Sequence, residues 1–260
     1  MDYKNRTAVI TGASSGIGLE YAHELARRGA NLVLVARRSD LLEKAAKDIK
    51  SKHDVNVDII TLDLSTPTSG KQLEAELAKR KLTPEILINN AGFGTNNRLA
   101  NEKREKLQQE ITLNVNTLVD LTTAYLPSML DNNFGVIVNI ASTAAYQPVP
   151  GMAVYAATKA FVLSFTSAVW GETQGTNVKV LAVSPGATAT EFFDVAEAKP
   201  FGQLAAIKDV IDATFKELDK TKSKPSVIVG LRNNVMAKAS RLMPTSTVIK
   251  VAVSMFLNKQ

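Results

Sequence analysis

The sequence predicts an α/β fold, a doubly wound parallel sheet of about seven strands with helices on both faces, built as a single domain over residues 1–260. Three observations carry that expectation. Short runs of Val, Ile and Leu recur along the chain and are apolar throughout rather than alternating, as in strands buried on both faces. Helical patterns separate these runs, which implies βαβ units with right-handed crossovers. The first such unit holds a glycine-rich turn, Thr11-Gly12-Ala13-Ser14-Ser15-Gly16-Ile17-Gly18, between its strand and its helix.

Composition sets bounds on the chemistry. The chain has 260 residues, 45% hydrophobic and 22% charged, enough for one large globular core. It has no cysteine, which excludes disulfides, a thiolate nucleophile and cysteine-ligated zinc. Its two histidines are His23, in the first predicted helix, and His53, in a polar loop. Both read as structural or solvated, and no metal is expected. Met1 to Arg6 runs into a strand with no apolar signal region, so a cytoplasmic location is expected.

The net charge of +6 is uneven: residues 216–260 hold nine Lys/Arg and two Asp/Glu, leaving the first 215 residues at −1. The body of the protein therefore gives no reason to expect nucleic acid. The basic end reads as a docking or dimerisation segment, with contact to an anionic partner or membrane surface as the other reading.

The elements follow in order. Thr7 to Ile10 is the first strand, and Leu19 to Arg28 continues the helix after the turn. A strand, a glycine-rich turn and a helix N-terminus together present backbone N–H groups to a pyrophosphate. Gly12 permits the tight turn, Gly16 lets the backbone approach phosphates, and Gly18 lets helix and strand pack closely. Asn31 to Val35 is the second strand. A carboxylate at its end would bind an unphosphorylated ribose; here Ala36 is followed by Arg37 and Arg38, which favours the 2′-phosphate of NADP(H). Leu41 to Lys52 reads as a helix and Val57 to Leu62 as the third strand. Asp63 and Leu64 follow it, with Asp63 placed to reach an adenine edge. Ile86 to Ile88 is the fourth strand and opens onto Asn89-Asn90-Ala91-Gly92. Glu102 to Met129 is a long helical pattern carrying Asn114. Val136 to Ile140 is the fifth strand, with Ser142 just past its C-terminal end, where ligands of doubly wound sheets bind. Ala153 to Trp170 is a helix, Val178 to Val183 the sixth strand and Val227 to Val229 the seventh.

The chemistry centres on Tyr155-Ala156-Ala157-Thr158-Lys159, which puts a phenol and an ammonium one turn apart on one helix face. A free phenol titrates near 10, and a nearby cation favours its ionised form, so such a Tyr can exchange a proton with a carbonyl or an alcohol.

These elements together resemble the short-chain dehydrogenase/reductase family, in its single-domain branch with a Rossmann-type fold. The resemblance covers about residues 5–190. It is carried by Thr11–Gly18, Asn89–Gly92, Asn114, Ser142, Tyr155 with Lys159, and Pro185-Gly186, in the family's order, with Ser142 lying 13 residues before Tyr155. Within the family, Leu113-Asn114, Asn139-Ile140-Ala141-Ser142 and Ala157-Thr158-Lys159-Ala160-Phe161 look most like the DltE-like group.

The resemblance implies an NADP(H)-dependent oxidoreductase interconverting a carbonyl and an alcohol. Tyr155 would be the general acid/base. Lys159 would lower its pKa and bind the nicotinamide ribose. Ser142 would donate to the substrate oxygen, and Asn114 would break its helix and hold a water on the way to solvent, with Asn116 as the alternative two residues on. Gly12, Ser14, Ser15, Gly16, Ile17, Gly18, Arg37, Arg38, Asp63, Leu64, Asn90, Ala91 and Gly92 would hold the adenosine and phosphates. Pro185, Gly186 and Thr188 would hold the carboxamide.

Residues 191–220 are expected to form a flap and helices over the site. Phe93, Ala144, Tyr146, Val149, Met152, Phe192 and Phe193 are candidate wall residues, nearly all apolar, which points to a lipophilic or aromatic substrate. Residues 231–260 extend beyond the family's usual end, which favours a dimer over the usual tetramer. A 3-oxoacyl-thioester reductase and a non-catalytic NADP(H)-sensing module are the rival readings.

Overall fold

The computed structural model describes residues 1–196 and 204–256; part of the expected flap, 197–203, and the end of the C-terminal extension, 257–260, lie outside the described residues. Seven parallel strands form one sheet in the order β3-β2-β1-β4-β5-β6-β7. They are β1 (Thr7–Thr11), β2 (Asn31–Ala36), β3 (Val57–Thr61), β4 (Ile86–Asn89), β5 (Gly135–Ile140), β6 (Val178–Ser184) and β7 (Ser226–Ile228). The order reverses between β1 and β4, where Ile10 pairs with Ile88, so the loops leaving these strands diverge and open a crevice.

Successive side chains of each strand point to opposite faces, and each face is covered by helices. Ala8 and Ile10 of β1, Leu32 and Leu34 of β2 and Val136 and Val138 of β5 pack on one side against α1 (Gly16–Arg27), α2 (Ser39–Lys52) and a later helix, Ile207–Leu218. Val9, Val33 and Ile137 pack on the other side against α3 (Ser69–Lys79) and the helices that follow β4 and β5. All of these strand residues are nearly inaccessible. That burial on both faces is why the strands are apolar throughout.

The helical pattern from Glu102 to Met129 is broken around Asn114, as the resemblance implies. It runs as α4 (Arg104–Ile111), a π-helical stretch Thr112–Thr117, and α5 (Leu118–Asp131). The third strand stops at Thr61, one residue short of the expected Leu62, and α3 has no counterpart in the sequence reading. After β5 come a short 3₁₀ turn (Thr143–Tyr146) and α6 (Ala153–Glu172). The remaining helices are α7 (Phe192–Val195), α8 (Ile207–Leu218), α9 (Leu231–Leu242) and α10 (Thr245–Phe256).

Two buried amides cross the sheet below the crevice. Asn89 Nδ2 donates to Asn139 Oδ1 at 2.9 Å and to Thr122 Oγ1 at 3.2 Å, and Asn139 Nδ2 donates to Thr166 Oγ1 at 3.0 Å. They tie β4, β5, α5 and α6 together at one level.

Candidate active site

The crevice at the C-terminal ends of the strands is a cleft of about 1720 Å³. Every site residue expected from the sequence lines it except Gly18 and Asn114. Both of these sit just behind the lining. Gly12 has φ +67°, a conformation that disfavours a side chain. Gly18 packs so closely that a Cβ there would lie 2.3 Å from the Gly12 carbonyl oxygen. Asn90 closes the turn from the next strand, its Nδ2 donating to the Thr11 carbonyl at 2.9 Å, while the Asn90 and Ala91 N–H groups donate to Thr11 Oγ1 at 3.0 Å.

One end of the cleft is built for an anion. Arg38 Nη2 donates to Ser14 Oγ at 3.2 Å, Ser15 Oγ at 2.9 Å and Glu191 Oε2 at 2.7 Å, and Ser15 Oγ also donates to Glu191 Oε2 at 3.0 Å. Arg38 and Ser15 hold the Glu191 carboxyl below its usual range. A guanidinium and two hydroxyls thus surround a negative charge at the end of β2 and the glycine-rich turn. Ala36 leaves no carboxylate there to oppose one. Asp63, pushed up by burial, is held below its usual range by the Ser65 hydroxyl and N–H and by Arg37.

The other end holds the catalytic candidates. Ser142 caps the 3₁₀ turn, accepting from the Ala144 N–H at 3.1 Å. Tyr155 and Lys159 occupy the first turns of α6 and are 8% and 5% exposed. Lys159 Nζ donates to the Ile140 carbonyl at 2.7 Å and lies 5.8 Å from the Tyr155 ring centroid. Burial pushes the phenol up to about 12, the neighbouring Ser142 hydroxyl acts in the opposite sense, and Glu110 adds to the rise. The sequence reading has Lys159 pulling the phenol below its ordinary value; here desolvation dominates and the ammonium is engaged with Ile140. Burial also lowers Lys159 to about 8, against the opposing effect of Glu110.

Asn114 sits within the π-helical stretch and is 1% exposed. Its Nδ2 donates to the Phe93 carbonyl at 2.9 Å and to Thr158 Oγ1 at 3.1 Å, and its Oδ1 accepts from the Phe93 N–H at 3.2 Å. The register break is what turns this amide toward α6. Asn116, by contrast, is exposed. A Cβ on Gly92 would stand 2.9 Å from Asn114 Oδ1 and 3.4 Å from Lys159 Nζ, so a side chain there would press on both groups.

The walls are apolar where the sequence suggests. Phe192 lies 5.1 Å, centroid to centroid, from Tyr155, and Phe193 meets Phe192 edge-on at 5.5 Å. Tyr146 is backed by Arg241, whose guanidinium lies 4.8 Å over its ring.

Two features escape the sequence reading. Glu110 is fully buried behind Tyr155 and Lys159. Its Oε2 accepts from Thr95 Oγ1 at 2.7 Å, its Oε1 has no hydrogen-bond partner, and burial raises its pKa to about 7. It precedes Asn114 by one helical turn, and that spacing was the available signal. The second is α9, whose Arg232, Asn233, Met236 and Ala237 line the cleft. Asn233 donates to the Val229 carbonyl at 2.8 Å, and a Cβ on Gly186 would lie 2.5 Å from its amide nitrogen.

A sequence profile described as short chain dehydrogenase matches residues 6–200. The chain belongs to that family. It is 37% identical over 190 residues to the NADP-dependent 3-hydroxy acid dehydrogenase of Schizosaccharomyces pombe, covering 72% of this chain and 73% of that one. It is 36% identical over 171 residues to a very-long-chain 3-oxoacyl-CoA reductase of Coprinopsis cinerea, covering 65% of this chain and 50% of the relative's length. Among solved structures, a short-chain dehydrogenase from Sphingobium yanoikuyae in complex with NADPH is 33% identical with a TM-score of 0.81, covering 91% of this chain and 93% of that one. The bulky-bulky ketone specific alcohol dehydrogenase from Comamonas testosteroni is 31% identical with a TM-score of 0.77, covering 91% and 92%. The Tyr155 and Lys159 pair therefore stands in an oxidoreductase fold.

Proposed function

We propose that this chain is an NADP(H)-dependent carbonyl reductase or alcohol dehydrogenase acting on a lipophilic or aromatic small molecule, of the family's DltE-like group. The observation that carries the cofactor choice is the anion cradle of Arg38, Ser14 and Ser15 beside Ala36. The close backbone approach at Gly12 and Gly18 fits a dinucleotide, with Asn90, Ala91 and Gly92 along its adenosine side and Pro185, Gly186 and Thr188 at the far end. NADP(H), when bound, supplies or accepts the hydride.

The protein's own groups manage the proton. The Tyr155 phenol, protonated at neutral pH because it is pushed up to about 12, donates to the carbonyl oxygen as charge develops there. The Ser142 hydroxyl donates to the same oxygen and holds it in place. Lys159, the nearest buried cation, restores the proton, and a water that reloads it would find polar partners in its own Nζ and Asn114 Oδ1, which flank Gly92. Phe192, Phe193 and Tyr146 exclude water and favour an apolar substrate.

The specific alternative is reduction of a 3-oxoacyl thioester, supported by the name of the Coprinopsis cinerea relative, a very-long-chain 3-oxoacyl-CoA reductase. A homodimer completes the reading. Its support is the outward face of α4 and α6, where Ile111 and Phe161 are 41% and 42% exposed and Phe161 stacks on Phe165 at 5.8 Å.

The test is NADPH consumption against carbonyl compounds graded in chain length and ring number, a 3-oxoacyl thioester among them, beside NADH and Tyr155→Phe. Turnover that prefers NADPH, rises with lipophilicity and disappears in the variant is the expected result. Tight NADPH binding with no turnover on any compound would refute it.

A further inference from the structure

Seven of the fourteen large hydrophobic side chains exposed among the described residues lie between Leu231 and Val251. On α9 they form a stripe. Leu231, Val235 and Leu242 recur at i, i+4 and i+11 with Lys238 at i+7, all on one side of the helix. Leu231 and Leu242 are 84% and 88% exposed. The opposite side of α9 faces the protein, where Asn233, Met236 and Ala237 wall the cleft and Ser240 donates to the Tyr146 carbonyl at 3.3 Å. On α10, Val248 and Ala252 are buried while Ile249 and Val251 face outward. The pair is docked by one face and leaves the other apolar and open. Between Lys220 and Phe256 the chain carries seven Lys/Arg and no Asp or Glu.

We propose that this outer face docks on an anionic lipid bilayer. α9 lies in the interfacial plane with Leu231, Val235 and Leu242 toward the acyl chains; Lys238, on the same side, snorkels its ammonium up to the headgroups, where Lys250 of α10 joins it. Charge decides the occupant. A second copy would bring Lys238 and Lys250 of the same face to a self-complementary contact and repel it. A neutral apolar partner would use the leucines and leave the cations desolvated. Anionic headgroups above acyl chains satisfy both features. At 12 residues, α10 is too short to span a bilayer, which takes about 20. The docking stands on this surface alone. One consequence rests on the reaction proposed above: Met236, 45% exposed on the cleft side of α9, puts the cleft mouth next to the docking face, so a lipophilic substrate enters from the bilayer.

The test is flotation of the full chain with phosphatidylcholine vesicles, with and without about 30 mol% phosphatidylserine. The expected result is binding to the anionic vesicles that is lost in high salt. Lys238→Gln and Lys250→Gln should each weaken it roughly fivefold. Leu231→Ser with Leu242→Ser should weaken it roughly tenfold or more, with an unchanged thermal midpoint as the control for folding. Equal binding to both vesicle types, no binding at low salt, or variants that float like the parent would each overturn the proposal. So would equal affinity of parent and double-serine variant for polyglutamate and for anionic vesicles, which marks a surface that reads charge alone. A parent that floats as expected but reduces no carbonyl upholds the docking and refutes the reaction.

Discussion

Replacing Glu110 with Gln isolates the cost of a buried charge behind Tyr155 and Lys159. Burial moves this carboxyl from 4.5 to about 7, with Glu102 adding to the rise and Thr95 and Lys159 opposing it. A displacement of that size is worth about 3 kcal/mol. Between pH 4.5 and 7 the folded protein keeps a proton that the unfolded chain has released. The stability owed to this group is therefore fully present below 4.5 and is lost as the pH rises through 7. Gln has no proton to release, so the variant is spared that loss. Lys159 loses a counter-charge in exchange, which trims the gain.

The expected outcome is a variant that matches the parent near pH 4.5 and exceeds it by about 2 kcal/mol near pH 8. Urea unfolding of both proteins at the two pH values gives that double difference, in which titrating groups not coupled to Glu110 cancel. Stability curves that stay parallel across the range would refute a buried, proton-holding Glu110.

Other outcomes follow from the same geometry. Gly18→Ala puts a Cβ 2.3 Å from the Gly12 carbonyl oxygen and should cost about 1–3 kcal/mol, read as a lower thermal midpoint, together with weaker binding of NADPH. Arg38→Gln removes the cation of the anion cradle and should weaken NADPH roughly tenfold or more while changing NADH little, by titration of each cofactor. The same change frees Glu191, so Glu191→Gln in the parent should strengthen NADPH binding by removing a competing anion. If Lys159 supplies the proton, reduction should slow as the pH rises through about 8, the value to which burial lowers it, and a rate profile flat to pH 9 would oppose that role.

Much of the sheet could be read from the sequence because parallel strands leave an unambiguous trace. Ala8 to Ile10, Leu32 to Val35 and Ile86 to Ile88 are buried on both faces and must be apolar at every position. Helices that touch the sheet lightly leave little trace. α3 buries Leu73 and Leu77 as its only large side chains in an otherwise polar stretch, and it passed unread. The residues of the cleft were legible through motif spacing, which fixes where a side chain sits along the chain. Spacing is silent on the balance of burial and charge, so the rise of the Tyr155 phenol and the whole of Glu110 had to come from three-dimensional surroundings. α9 was obscured for a different reason. Apolar residues on its inner and outer sides together blur the single stripe by which an amphipathic helix is recognised.

The paired amides of Asn89 and Asn139 have a consequence for how the chain finds its alignment. β4 and β5 are otherwise almost interchangeable runs of Ile, Leu and Val. Sliding one past the other by two residues would keep every side chain on its proper face and lose little apolar contact. Such a slide would carry Ser142 about 6.6 Å away from Asn90, along the strand direction. It would also strand two amides in a dry interior, at about 1–3 kcal/mol for each unmet group. The amides thus serve as a vernier, with a single setting at which Asn89 meets Asn139, and that setting holds the two lips of the cleft at matching heights.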